Sequence, residues 1–162
     1  MIKDSPEIKL NEETIGPFKS GQEIELAYWM VEELVNSGLA KFREQDLLDI
    51  TKLTKIHWKE TIPTSRQIPR LQKNFYFILK KFLKEVSEES KKDTSKIMLY
   101  ERALALSRDI INCRVRKIIS IAATSTNSWD MIENMAVEEI ALHNKLNLII
   151  NEWKDNILKI ED

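Results

Sequence analysis

The chain carries two histidines, His57 and His143, and a single cysteine, Cys113. These residue types hold transition metals or act as base and nucleophile, but only when folding or spacing groups them. Here they lie far apart, neither histidine has a ligand-type neighbour at metal-binding spacing, and Cys113 has no Cys or His beside it. Each histidine is expected on a helix surface or at an interface. Cys113, in "IINCRVRKII", is expected as a small buried apolar residue. A lone cysteine forms no internal disulfide, which favours a reducing compartment. The adjacent pairs Glu32–Glu33 and Glu138–Glu139 fall in helical segments. Neighbouring helical residues point about 100° apart, so neither pair makes a shared acid–base site, and both are expected on solvated faces. There is no glycine-rich phosphate loop and no G-x-S-x-G signature. Nothing argues for catalysis, so no catalytic, cofactor-binding or metal-binding residue is assigned and no cofactor is expected.

Two basic clusters remain. Lys80, Lys81 and Lys84 are followed by Glu85, Glu88 and Glu89 and read as a mixed-charge helix end. Arg114, Arg116 and Lys117 interrupt a helix that is otherwise apolar. They could snorkel or pair across an interface, or they could contact phosphate. The formal net charge of -1 supplies no global basic field, so DNA binding is expected to be weak and salt-sensitive at most.

The elements that position these residues follow from the pattern. With 43% hydrophobic and 31% charged residues, the chain can bury a core and stay in solution. A length of 162 residues suits one domain, or one with a small appendage. The N-terminus lacks an apolar signal core, and no apolar run approaches the roughly 20 residues of a membrane span. An intracellular, cytoplasmic protein is expected. Glycines end at Gly38 and prolines at Pro69, so turns crowd the front and long helices should fill the rest.

"EIKL" and the alternating "QEIEL" read as strands, separated by the two turn signals of "IGPFKSG". A first helix follows from Leu26 through Met30, Val31, Leu34 and Val35, with Trp29 expected to anchor it in the core and Gly38 to close it. A second helix starts at about Asp46 as N-cap and runs through Leu47, Ile50, Leu53, Ile56 and Trp58, ending before Pro63. A third starts near Pro69, with Leu71, Phe75, Ile78, Phe82 and Val86 as its stripe, and "KEVSEESKKDTS" as a hairpin tip. A fourth starts at Asp93–Ser95. Ile97, Leu104, Ile111 and Ile118 recur every seven residues in it, beside a second row of Leu99, Ala103, Leu106 and Ile110. A helix apolar on two sides belongs in the middle of a bundle. After the polar break "TSTNSWD", a last helix spans 134–160 with Leu142, Leu146, Ile149, Ile150, Trp153, Ile157 and Ile160 as its stripe. The expected fold is mainly α, a helical bundle of about five helices with a short N-terminal β appendage. Residues 1–25 form the small strand unit and 26–162 the helical domain.

The ordered set of segments resembles the GINS replication-factor family, in its archaeal-type branch related to the second and third Psf subunits. "IGPFKSGQEIELAYWMVEELVNSGLA" is similar to the family's turn, strand and Trp-bearing helix, through Gly16, Pro17, Phe18, Gly21, Ile24, Glu25, Trp29 and Leu34. "DLLDITKLTKIHWKETIPTSRQIPRLQKNFYFILKKFL" is similar to its second helix, proline-bearing link and aromatic third helix. "SRDIINCRVRKIISIA", with Arg114, Lys117 and Ile118, resembles its Arg-x-x-Lys-Ile helix. "NMAVEEIALHNKLNLIINEWKDNIL" resembles its closing helix. The family's β domain has more chain ahead of the Gly-Pro-Phe turn than is present here, so this unit is expected to be reduced to two or three strands. The resemblance implies a non-enzymatic scaffold subunit. It would pair with a second GINS subunit type into a 2:2 tetramer and bridge the MCM helicase and a RecJ-like partner. Gly16, Pro17, Phe18, Trp29, Phe75, Arg114, Lys117 and Trp153 are the structural and interface candidates. The alternatives are a helical adaptor of another pathway, and a DNA-binding regulator using the Arg114–Lys117 cluster.

Overall fold

The computed structural model describes residues 1–10, 13–62, 68–124 and 132–159. The chain divides into two compact units, Met1–Leu47 and Leu48–Asp162.

In the first unit, β1 (Ile8–Leu10) and β2 (Glu13–Ile15) pair antiparallel, with Ile8 opposite Ile15. Past β2 the chain turns back along its own start. Ser5 and Phe18 exchange backbone hydrogen bonds of 2.8 and 2.9 Å. The Ser20 N–H donates to Asp4 Oδ1, and the N-terminal amine donates to the Gln22 carbonyl. Gly16 makes this return with φ +100, and a Cβ there would stand 3.0 Å from the Pro6 carbonyl oxygen. Only glycine takes that backbone readily in so tight a space. "QEIEL", expected as a strand, lies outside the ladder. Its period still operates: Ile24 and Leu26 are half-buried and Glu23 and Glu25 exposed. Alternation sorts side chains along any extended backbone, but it does not supply a partner strand.

The helix α1 (Tyr28–Asn36) buries Met30 and Leu34. It ends as expected at Gly38, with φ +70. The Gly38 N–H donates to the Val35 carbonyl and the Leu39 N–H to the Leu34 carbonyl, a Schellman closure. Trp29 is not a core anchor. It is 50% exposed, because it sits about 100° around the helix from Met30, which takes the inward position.

In the second unit, α2 (Ile50–Glu60) is capped by Asp49, whose carboxylate accepts from the Lys52 N–H at 2.7 Å. Asp46, the expected cap, ends a 3₁₀ turn, Glu44–Asp46, and the extended Leu47 separates that turn from the helix. Leu53 faces inward, while Trp58, five residues on and roughly 140° around, is exposed. The helix α3 (Phe75–Lys92) begins after Asn74, later than the expected Pro69, and buries Phe75, Leu79 and Val86. Most of the polar stretch expected as a hairpin tip is helical and runs to Lys92. Only Asp93–Lys96 make the reversal, with Asp93 Oδ1 accepting from the N–H and hydroxyl of Ser95. Charged residues at i,i+4 spacing, such as Lys81 and Glu85 at 3.7 Å, sustain the helix there.

The long α4 (Ile97–Ala122) packs against α2, α3 and α5 (Val137–Leu158), the middle position expected of it. Its inward row is Ala103, Ser107, Ile110, Arg114, Ile118 and Ile121, with Ala122 beside it. The strict seven-residue row does not face the core throughout: Ile97 and Ile111 are exposed. A straight helix drifts about 20° per heptad, so Ile97, three heptads from the buried Ile118, stands about 60° around the helix from it, while Ile111 lies only about 20° away and its exposure is not a matter of drift. Two apolar clusters result. Leu48, Leu53, Phe75, Leu79, Ala103 and Ile110 form one, and Ile68, Ile118, Ile121 and Met135 the other. In α5 the fully buried residues are Glu139 and His143, both polar. Its expected apolar stripe is largely outward: Leu142, Ile149, Trp153 and Ile157 are exposed, and Leu146 and Ile150 half-buried. Ile160 and positions 125–130 of the polar break lie outside the described residues. The described residues thus form five α-helices and a two-stranded sheet, the mainly α fold that was expected. Among them, no helix is long and apolar enough to cross a membrane.

Candidate functional site

The centre of the second unit is ionic. Arg114 lies on the inward face of α4 between Ile110 and Ile118, at the junction of the two apolar clusters, and it is 0% exposed. Its Nε and Nη2 donate to the two carboxylate oxygens of Glu139, at 2.5 and 2.6 Å. Its Nη1 donates to Glu60 Oε1 and, at 2.8 Å, to the Pro69 carbonyl. Lys117, one turn further along α4, donates to Glu60 Oε2 at 2.9 Å and to the Glu60 carbonyl at 3.2 Å. Tyr76 on α3 donates its hydroxyl to Glu139 Oε1 at 2.5 Å. The Ala136 N–H donates to Glu139 Oε2 at 2.8 Å, so the third residue of α5 also satisfies that helix's own start.

Three helices, α2, α4 and α5, and the segment before α3 thus meet on one guanidinium, and α3 joins them through the bond from Tyr76 to Glu139. Two cations face two carboxylates, so the buried charge sums to zero, and the bidentate fork on Glu139 is the strong form of the pair. The titrations follow the contacts. Burial pushes the Glu139 carboxyl up, but hydrogen bonds from Arg114, Tyr76 and the Ala136 N–H outweigh it and hold the group below the usual carboxylate range. Burial and the hydrogen bond to Glu139 push the Tyr76 hydroxyl well above its usual range. Burial alone would weaken the Arg114 cation, and the two glutamates hold it protonated.

This corrects the expected roles. Arg114 is neither a snorkelling interface residue nor available to phosphate, because its donors are directed into the bundle. Glu139 is 4% exposed rather than solvated, while its neighbour Glu138 is on the surface. Glu60 escaped notice because nothing near it in sequence marks a glutamate at a helix end as buried. A signal for Arg114 did exist: the 3.6-residue spacing Ala103–Ser107–Ile110–Arg114–Ile118 puts the arginine in the inward row. His143 is buried, with Nδ1 3.2 Å from Asn144 Oδ1, not on the surface. His57 is half-buried, its Nε2 3.5 Å from Asp109 Oδ2. Cys113 is half-buried and free. Among the described residues no cluster of His, Cys, Asp and Glu could hold a metal ion.

The remaining candidates fall in two sets. Gly16, Pro17, Phe18 and Trp29 belong to the first unit. There Gly16 and Pro17 are exposed, and Phe18 is half-buried in its bridge to Ser5. Phe75, Arg114, Lys117 and Trp153 belong to the second. Phe75 is a core residue, edge-on to Tyr76 at 5.4 Å between ring centres. Trp153 is 63% exposed on the outer part of α5, in line with Ile149 and Ile157. Phe77 on α3 and Ile97, Met98, Ile111 and Ile119 on α4 add further exposed apolar surface. Solitary exposed apolar residues are ordinary, but rows of them along helices mark surfaces that other proteins cover.

No curated protein matches the chain. A family model described as the GINS complex protein helical bundle domain matches residues 32–158, from within α1 to the end of α5. That match spans well over half of the chain, and the chain belongs to the GINS family of DNA-replication proteins.

Proposed function

We propose that this chain is a non-enzymatic structural subunit of a GINS complex that bridges and activates the replicative MCM helicase during DNA replication. Its subunit type is the archaeal one related to the second and third Psf subunits. It joins a second GINS subunit type in a 2:2 heterotetramer, contacts MCM and a RecJ-like partner, and works in the cytoplasm at the nucleoid. The observation that carries the reading is the exposed apolar row of α5, Ile149, Trp153 and Ile157, within a bundle matched to the family. Such a row costs solubility in a free monomer and is stabilising once a partner covers it. Trp29 and Trp153 are the contact candidates, one in each unit. Gly16, Pro17 and Phe18 set the path of the first unit, and Phe75, Arg114 and Lys117 hold the second together. The functional division falls between residues 25 and 26, which groups α1 with the bundle helices as the family match from residue 32 does, whereas by its contacts α1 belongs with Met1–Leu47.

The test is co-expression with a second GINS subunit type, followed by sedimentation analysis. The two chains should co-elute in equal numbers, and Trp153→Asp should weaken the complex at least about tenfold, as loss of a central aromatic contact does. A chain that stays a concentration-independent monomer and ignores the second subunit would overturn the reading.

A further inference from the structure

Charge divides unevenly between the two units. Residues 1–47 hold 5 Lys and Arg against 10 Asp and Glu, and residues 48–162 hold 20 against 16. The overall -1 therefore conceals a helical unit with a positive excess, whose complement is an acidic surface. Two helices carry lysines in different ways. On α3, Lys80, Lys81 and Lys84 are followed by Glu85, Glu88 and Glu89, and the pairs Lys81–Glu85 at 3.7 Å and Lys96–Glu89 at 2.7 Å neutralise part of the charge. On α2, Lys52, Lys55 and Lys59 stand beside a single acid, Glu60, which is buried against Arg114 and Lys117.

The outward side of α2 therefore has positive charge and no negative charge of its own. Lys55 and Lys59 are exposed there, and Trp58 beside them is 68% exposed. At 100° per residue, all three stand well over 90° around the helix from the buried Leu53. Ile62, just past the helix and in line with Lys55, Trp58 and Lys59 at i+7, is exposed too. Asp109 of α4 meets α2 on another side, at His57, about 160° around from Lys55. Exposed lysines alone are ordinary. A largely exposed indole among them is not, because its apolar body stays in water until another molecule covers it.

We propose that this face of α2, made by Lys55, Trp58, Lys59 and Ile62, docks an acidic amphipathic helix of another protein. The apolar residues of that helix cover Trp58 and Ile62, and its carboxylates meet the two lysines. Helices pack on one another through such convex faces, ridges into grooves. A single nucleic-acid strand also takes lysine and aromatic contacts, but in a basic groove that tracks its backbone. One side of one helix is not a groove, and two lysines release too few counterions to hold a strand at physiological salt. The face is separate from the α5 row and does not depend on the partner proposed above.

The test is an NMR titration of the full chain, following the indole N–H signal of each tryptophan, assigned by single substitution to phenylalanine. The probe is a peptide of about 14 residues, four helical turns, with leucine at helical spacing and glutamate elsewhere. The Trp58 signal should move and saturate. With the peptide fluorescently labelled, anisotropy should show affinity falling at least about tenfold in Lys55→Glu with Lys59→Glu, and by a similar factor in Trp58→Ala. Both variants change exposed residues, so their melting temperatures should match the parent. Lys80→Glu with Lys84→Glu, an equal reversal on α3, should change affinity by no more than about threefold, since screening confines charge effects to their surroundings. A Trp58 signal that stays still while the Trp153 signal moves would overturn the proposal. So would equal losses from the two charge reversals, which would make the attraction general. A thymidine oligonucleotide of about 20 bases that moves Trp58 where the peptide does not would overturn it in favour of nucleic acid.

Discussion

Arg114 sits where a leucine would fill the inward row of α4, and four hydrogen bonds hold it there. Arg114→Ala leaves Glu60 and Glu139 buried together with Lys117 as their main cation. Breaking a buried pair in this way typically costs about 3–5 kcal/mol. Against a total stability of roughly 5–15 kcal/mol, that loss should be plain in a urea denaturation midpoint. The same residues set the pH response. Glu139 titrates lower in the folded chain than its ordinary 4.5, so its contribution is complete above about 4.5 and is lost as pH falls through the folded value. Tyr76 titrates higher than its ordinary 10.0, so its contribution is complete below about 10 and is lost as pH rises through the folded value. Melting temperature should therefore be flat between these limits and fall on both sides. Tyr76→Phe should shrink the alkaline fall and leave the acid one. An unchanged alkaline arm in that variant would show that the Tyr76–Glu139 bond does not set it. Of this only the inward place of Arg114 was legible, in the spacing of the buried row of α4. Its partner was not, because adjacency along a helix says which way Glu139 points relative to Glu138 and not which of them faces a buried cation.

Elements were legible where their signals are local. Helix stops written in glycine and starts written in aspartate act within a few residues of where they stand, as Gly38 does at the end of α1 and Asp49 at the start of α2. The cap of α2 was misplaced by three residues, since Asp46 and Asp49 both precede the apolar run and only backbone geometry separates them. Asp49→Ala should cost about 1 kcal/mol, read as a lower melting temperature, whereas Asp46→Ala should cost less. The opening turn and α1 make a second contrast. Gly16→Val forces a branched side chain onto φ +100 against the Pro6 carbonyl, so it should disturb the β1–β2 unit, seen as lost amide protection at Ser5 and Phe18. Trp29→Ala removes a side chain already half in water. It should lower the melting temperature by far less than the roughly 3–5 kcal/mol of a buried tryptophan and should instead weaken partner binding. A large melting shift from Trp29→Ala would mean that α1 depends on it for folding.

At the scale of the whole molecule, charge and surface point the same way. The net charge is -1, and Arg114 is committed internally, with Lys117 directed at Glu60. That removes most of the basic cluster on which a DNA-binding regulator would depend. Fluorescence anisotropy should show binding no tighter than the micromolar range at physiological salt, falling further as salt rises. Nanomolar, sequence-specific binding would contradict it. The exposed rows on α4 and α5 should instead make the isolated chain self-associate, with sedimentation coefficients that rise with concentration and settle once a partner subunit is added.

The sequence by itself determined the helical class, the first short strand, the middle place of α4 and the apolar stripe of α5, each from periodicity or from residues whose backbone preferences act locally. The strand Glu13–Ile15 it did not mark, and "QEIEL" it marked wrongly. Tertiary structure alone decided which side of each stripe faced inward. Trp29 moved out because Met30 and Leu34 took the core, and Ile97 moved out because a 3.6-residue helix drifts about 60° over the three heptads between it and Ile118. Glu139 moved in because Arg114, twenty-five residues earlier, offered it a fork. That pairing depends on two helices crossing at one height, and no spacing within either helix records where the other will cross.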